Sequence, residues 1–127
     1  MGVIITEYPQ FFKTTILDWK KLLKLNNYKY IVVESLKFLV ESKRIKLFAF
    51  ELMENHLHLI WQMIGGVKPA DVQRDFLKYT AQQIKKDLVK NHKAVLEQFK
   101  VGAKDRQYQF WERNVLSIVL RTDKVFK

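Results

Sequence analysis

The sequence predicts an α+β fold: a ferredoxin-like βαββαβ sandwich, with two helices on one face of a four-stranded antiparallel sheet. Three observations predict it. The apolar pattern alternates with a period of two in four stretches and with a helical period in two others. Those stretches follow one another as strand, helix, strand, strand, helix, strand, which is the split βαβ order. A length of 127 residues with 48% hydrophobic and 28% charged side chains suits one globular domain with its own core, taken here as residues 1–127.

The first strand is expected over Phe11-Phe12-Lys13-Thr14-Thr15-Ile16-Leu17, rich in aromatic and β-branched residues and set off by Pro9. A basic, apolar connection, Trp19 to Leu25, follows. Asn26 or Asn27 then serves as the cap of a helix over 28–42, whose buried face carries Val32, Leu36, Leu39 and Val40. Arg44 to Met53 alternates as a second strand. Ile45, Leu47, Ala49, Glu51 and Met53 share one face, and Phe48, Phe50 and Leu52 the other.

The third strand, His56 to Met63, carries the most informative residues. His56 and His58 point one way, while Leu57, Leu59 and Trp61 point the other. Two neutral imidazoles held side by side suit a divalent metal. If Glu54-Asn55 is a two-residue turn, Glu51 lies opposite His58 and can supply a third ligand. The competing reading of Glu51 is a surface Glu–His pair without metal.

Gly65-Gly66 ends this strand, and Pro69 opens a helix that runs to about Asn91. Val72, Phe76, Thr80, Ile84 and Leu88 trace its buried stripe. Arg74, Lys78 and Lys85 form a basic stripe near its opposite side. A short helix is expected over 94–99. Gln109-Phe110-Trp111 and Leu116-Ser117-Ile118-Val119-Leu120 supply the last strand.

The net charge is +10 with a pI near 9.8, and most of the surplus falls after residue 67. Such an excess suits a polyanionic partner, nucleic acid first. Beyond the Arg74, Lys78 and Lys85 stripe, Lys100, Lys104, Arg106 and Arg113 are the candidate contacts. Without cysteine, the chain has no disulfides, no thiolate zinc site and no thiol nucleophile. No apolar run approaches the length of a membrane span, and the N-terminus lacks a signal-peptide layout. A cytoplasmic protein that does not enter membranes is the expectation.

Met53-Glu54-Asn55-His56-Leu57-His58-Leu59-Ile60-Trp61 resembles the signature of the HUH single-tyrosine transposases of small bacterial insertion sequences and their REP-associated relatives. That signature usually reads Met-Pro-Asn-His-x-His, and Glu54 stands where the proline is usual. Glu7-Tyr8-Pro9-Gln10-Phe11-Phe12, Phe76-Leu77-Lys78-Tyr79-Thr80-Ala81-Gln82 and Tyr108-Gln109-Phe110-Trp111-Glu112-Arg113-Asn114 are similar to one branch of that family, so the resemblance covers essentially the whole chain.

The resemblance implies that the histidines and a further polar side chain hold Mg²⁺ or Mn²⁺. It implies single-stranded or hairpin DNA as substrate, a tyrosine nucleophile that forms a 5′-phosphotyrosine, and a homodimer. In the family that tyrosine lies on a helix after the last strand, in a Tyr-Ile-containing segment. No Tyr-Ile pair follows His58 here, so that helix is expected to be lacking. Tyr79 with Gln83 matches the tyrosine's spacing to a later polar residue. Its helix, however, belongs behind the sheet, away from His56 and His58. Tyr108 precedes the last strand. Two further functions compete: a non-catalytic nucleic-acid-binding module with a vestigial histidine pair, and a zinc hydrolase. The latter generally needs three protein ligands.

Overall fold

The computed structural model describes residues 8–121. Glu7, the first residue of the Glu7–Phe12 segment, and the end of the chain at Lys127 lie outside them. The elements are β1 (Gln10–Thr15), α1 (Asn26–Glu41), β2 (Ile45–Leu52), β3 (His56–Met63), α2 (Pro69–Asn91), α3 (Lys93–Glu97), β4 (Lys100–Ala103), β5 (Arg106–Tyr108) and β6 (Leu116–Val119). Strands β2-β3-β1-β6 form one antiparallel sheet in that order, and β4-β5 form a separate hairpin. Central position for the first and third sheet strands is the split βαβ arrangement.

The core lies between the sheet and the helices. Phe12 from β1, Leu57, Leu59, Trp61 and Met63 from β3, Val32, Leu36 and Leu39 from α1, and Val72, Phe76, Ile84 and Leu88 from α2 are all buried. Phe12 stacks on Trp61 with ring centroids 5.0 Å apart, and Phe76 meets Trp61 edge-on at 6.1 Å. The Tyr28 hydroxyl donates to Asp87 Oδ2 at 2.6 Å and ties α1 to α2.

Several expectations need correction. Neither Asn26 nor Asn27 caps α1. The Leu25 carbonyl already accepts the N–H groups of Tyr28 and Lys29, at 3.0 and 3.3 Å, so Asn26 falls inside the first turn. Val40 is exposed, one step of about 100° beyond Leu39, and Tyr28 and Ser35 complete the buried face instead. The far end of α1 closes in a Schellman motif: Arg44 N–H donates to Leu39 O and Lys43 N–H to Val40 O, both at 3.0 Å. Lys43 therefore takes φ 60°, the position glycine usually fills.

Strict alternation along β2 also fails. The register shifts between Leu47 and Ala49, leaving Phe48 as an extra residue, a β-bulge. Ile45 and Leu47 pair with Met63 and Trp61 on the core side. Ala49 and Glu51 pair with Ile60 and His58 on the open side. Ile45 and Glu51, expected on one face, lie on opposite faces.

Gln109-Phe110-Trp111 is not part of the last strand, which is only Leu116–Val119. Trp111 makes a single bridge to Ile16, and its indole N–H donates to Thr80 Oγ1 at 3.0 Å inside the core. The hairpin β4-β5 was not expected. It is short and wholly exposed on β4, turns at Lys104-Asp105 between the paired Ala103 and Arg106, and carries a register irregularity at Gly102, φ 63°, so no apolar alternation announces it.

Candidate metal and nucleic-acid site

The open face of the sheet is built from the outward residues of its four strands. His58 has Glu51 of β2 opposite it on one side and Lys13 of β1 on the other. His56 has Thr15 opposite it. The two imidazole centroids are 5.4 Å apart and their planes lie at 78°. The two-residue turn forms as expected, with Met53 N–H donating to His56 O at 2.8 Å. The same register sets Glu51 Oε1 3.5 Å from His58 Nε2.

Asn55 fixes the chemistry of His56. Its Nδ2 donates to the Trp19 carbonyl at 3.3 Å, so its Oδ1 turns to His56 Nδ1, 2.9 Å away. An amide oxygen only accepts, so Nδ1 carries the proton and the lone pair resides on Nε2. This is the arrangement that outer partners impose on ligating histidines. The His56 pKa is pushed below the usual imidazole value, first by burial, then by the Lys13 ammonium and by His58. Glu51 pulls weakly the other way. His56 is therefore neutral at pH 7, as a ligand must be.

These residues fit a small divalent cation. Two nitrogens sit on one face, one has a fixed tautomer, and a carboxylate is beside the other. In the conformation seen, no group of three or more histidine or acidic side chains among the described residues has converged to hold an ion. Glu51 remains half of a pair with His58. A shallow groove of about 220 Å³ continues from His58 and Glu51 over Phe11, Ala49 and Ile60.

The turn is stitched to the segment after β1. Ile16 N–H donates to Asn55 O at 2.8 Å and Leu23 N–H to Glu54 O at 2.9 Å. Lys21 Nζ lies 3.8 Å from the Glu54 carboxylate. Sequence reasoning missed this neighbourhood: Lys13, Thr15, Trp19 and Asn55 flank the histidines. Alternation along β1 puts Lys13 on the open face. Only the strand order makes it the neighbour of His58.

The basic candidates divide into two groups. Arg74, Lys78 and Lys85 are exposed on α2, whose buried stripe faces the sheet, so they lie behind it. Arg74 is paired with Asp71 and Asp75, each at 3.3 Å, and the Lys85 ammonium sits 5.4 Å above the Tyr108 ring. Arg106 and Arg113 converge on Asp105, at 2.7 and 3.5 Å. Glu112 N–H donates to Thr15 O, so Arg113 leaves the fold at the histidine end of the sheet.

None of the five tyrosines lies at that end of the open face. Tyr28 is buried, with its hydroxyl pKa raised by burial and by Asp87. Tyr30 and Tyr79 line a cleft of about 490 Å³ between α1 and α2. Tyr108 is on β5, and Tyr8 precedes β1 beside Met63, at the opposite end of β3 from His56.

Residues 18–113 match the profile of a family described as IS200-like transposases. No curated protein matches the sequence. Among solved structures, the fold is similar to that of a REP-associated tyrosine transposase bound to a REP hairpin. Identity is 14% and the TM-score 0.60, over 95% of this chain and 63% of that one. It is also similar to a candidate transposase of Deinococcus radiodurans R1, with 9% identity and a TM-score of 0.63, over 95% of this chain and 85% of that one. At these identities the likeness is one of fold. No helix among the described residues is long and apolar enough to cross a membrane.

Proposed function

The chain belongs to the IS200-like transposase family, and from that premise we propose that its histidine face binds single-stranded or hairpin DNA together with Mg²⁺ or Mn²⁺. The observation that carries the reading is the pairing of His56 and His58 on the open face, with Asn55 leaving His56 Nε2 free. His56 and His58 would hold the cation, and Glu51 would swing from His58 to join them. A cation bound there supplies Lewis-acid polarisation of a phosphodiester. Lys13 neutralises the phosphate beside His58, and Arg113 extends the positive surface past the end of the sheet.

Strand cleavage in such a site requires a tyrosine oxygen to bond the phosphorus while the 3′ oxygen leaves and takes a proton. That oxygen has to approach within about 3–3.5 Å and in line. Tyr28, Tyr30, Tyr79 and Tyr108 stand away from the histidines, and Tyr8 is at the far end of the strands. We therefore assign this chain DNA and metal binding, with nicking and strand transfer dependent on a tyrosine not among these five. Assembly as a homodimer and a cytoplasmic location accompany the reading.

Titration of Mn²⁺ into the protein and into a His56→Ala, His58→Ala variant tests the site. Binding should vanish in the variant; undiminished binding would end the assignment. Incubation with Mn²⁺ and hairpin DNA should give no covalent adduct on a denaturing gel. An adduct that disappears in Tyr79→Phe would make Tyr79 the nucleophile.

A further inference from the structure

Trp19 differs from the other two tryptophans. Trp61 and Trp111 are 0% and 5% exposed, and Trp19 is 60% exposed. Its backbone is also held in a costly conformation. Asp18 and Trp19 are consecutive residues with φ of 56° and 58°, a region that bulky residues rarely adopt and that clusters at functional positions. Three hydrogen bonds impose it. Trp19 N–H donates to Ile16 O at 2.9 Å, Asp18 N–H donates to Glu112 Oε1 at 2.8 Å, and the Trp19 carbonyl accepts from Asn55 Nδ2. The last bond comes from the amide that orients His56. The Lys13 ammonium, across the strand from His58, sits 5.9 Å from the centre of the indole ring.

We propose that Trp19 is a stacking platform for one unpaired base of the DNA strand whose phosphate lies at Lys13 and the histidine pair. The proposal rests on the nucleic-acid reading above and adds to it a defined base position. The occupant follows from the surroundings. An indole face in solvent offers stacking to any base, because every base has a π-face. The adjacent residues are Asp18, Lys20 and Lys21, and Lys13 overhangs the ring, so the platform is set in charged surface. A protein partner would need a contiguous apolar patch. Bases within a duplex are already stacked, so the occupant belongs to a single strand.

Because Trp19 is the exposed tryptophan, intrinsic emission reports on it. The probe is a DNA hairpin with a short single-stranded tail, compared with the same hairpin made blunt. The tailed hairpin should quench the emission, and the blunt one should not. Trp19→Phe should abolish the quenching while largely keeping affinity, since phenylalanine also stacks. Trp19→Ala should weaken tailed-hairpin binding about tenfold, as loss of a base–aromatic stack does, and leave blunt-hairpin binding unchanged. Saturation by the tailed hairpin with unaltered emission, or wild-type affinity in Trp19→Ala, would overturn the platform alone. Failure of the native protein to bind either DNA would overturn the nucleic-acid reading and the platform together.

Discussion

Replacing Asn55 by alanine removes two side-chain hydrogen bonds, to the Trp19 carbonyl and to His56 Nδ1. The first is exposed and worth about 0.5 kcal/mol. The second is partly buried and worth about 0.5–1.5 kcal/mol. A loss of about 1 kcal/mol lowers the melting temperature of a chain this size by roughly 4 °C. The larger effect should fall on metal binding. Without Oδ1, nothing holds the proton on Nδ1, so Nε2 loses both its fixed lone pair and its orientation. Removal of such an outer partner generally lowers metal affinity about 10–100-fold, and a neutral amide acceptor argues for the lower end. Calorimetric titration with Mn²⁺, paired with thermal melting, separates the two effects. Asn55→Asp supplies the control: it keeps the acceptor for Nδ1 and loses only the donor to Trp19. It should melt lower than the native protein yet bind Mn²⁺ at least as tightly. An alanine variant that melts lower but binds Mn²⁺ with native affinity would refute the assignment of the His56 tautomer to Asn55.

Other outcomes follow from the same geometry. Folding stability should decline as the pH falls below about 6.5, the unfolded imidazole value, and level off only below the depressed value of folded His56; a His56→Gln variant with the same acid limb would contradict this. Glu51→Gln should weaken Mn²⁺ binding about tenfold if the carboxylate joins the cation, and a titration showing native affinity would return Glu51 to a simple pair with His58. Lys13→Ala should reduce the slope of log affinity against log salt by about 0.7 for a single strand, whereas an unchanged slope measured by anisotropy would remove Lys13 from the phosphate contacts. Lys43→Gly, at the left-handed end of α1, should stabilise the fold by about 1 kcal/mol in denaturant melts; destabilisation would show that the lysine side chain matters more than its backbone strain.

The histidine strand was legible because it obeys one rule throughout. Leu57, Leu59, Trp61 and Met63 are buried in strict alternation with His56, His58, Ile60 and Gln62. The helices were legible for the same reason, since Val72, Phe76, Thr80, Ile84 and Leu88 repeat at one period. What escaped is what depends on partners distant in sequence. Trp111 looks like a strand residue but is recruited by Thr80, 31 positions away. Of the site, the histidine pair on one strand face and the Glu51 register were visible. Lys13 and Trp19 became its neighbours only once β1 was seated beside β3, and Asn55 gained its role only through a carbonyl in another segment. The α2 basic stripe was visible as a pattern, and the placement of its helix behind the sheet, away from the histidines, was legible with it.

The extra residue at Phe48 acts as a phase switch in β2. On the Ile45 side the odd-numbered positions belong to the interior; on the Glu51 side they belong to the histidines. A regular strand cannot satisfy both ends, because Ile45 and Glu51 have the same parity. The bulge absorbs the mismatch: with Phe48 set aside, Leu47, Ala49, Phe50 and Glu51 meet Trp61, Ile60, Leu59 and His58 in unbroken register. Deleting Phe48 would therefore leave a regular strand with Glu51 still opposite His58. Drawing Phe48 into the ladder, or adding a paired residue between Leu47 and Glu51, is what would turn the carboxylate off the face of His58 while the Ile45 end kept its place in the core. Side-chain identity at position 48 should be nearly free. The carboxylate's place beside His58 thus depends on one residue being left out of the pairing, in a strand whose composition gives no sign of it.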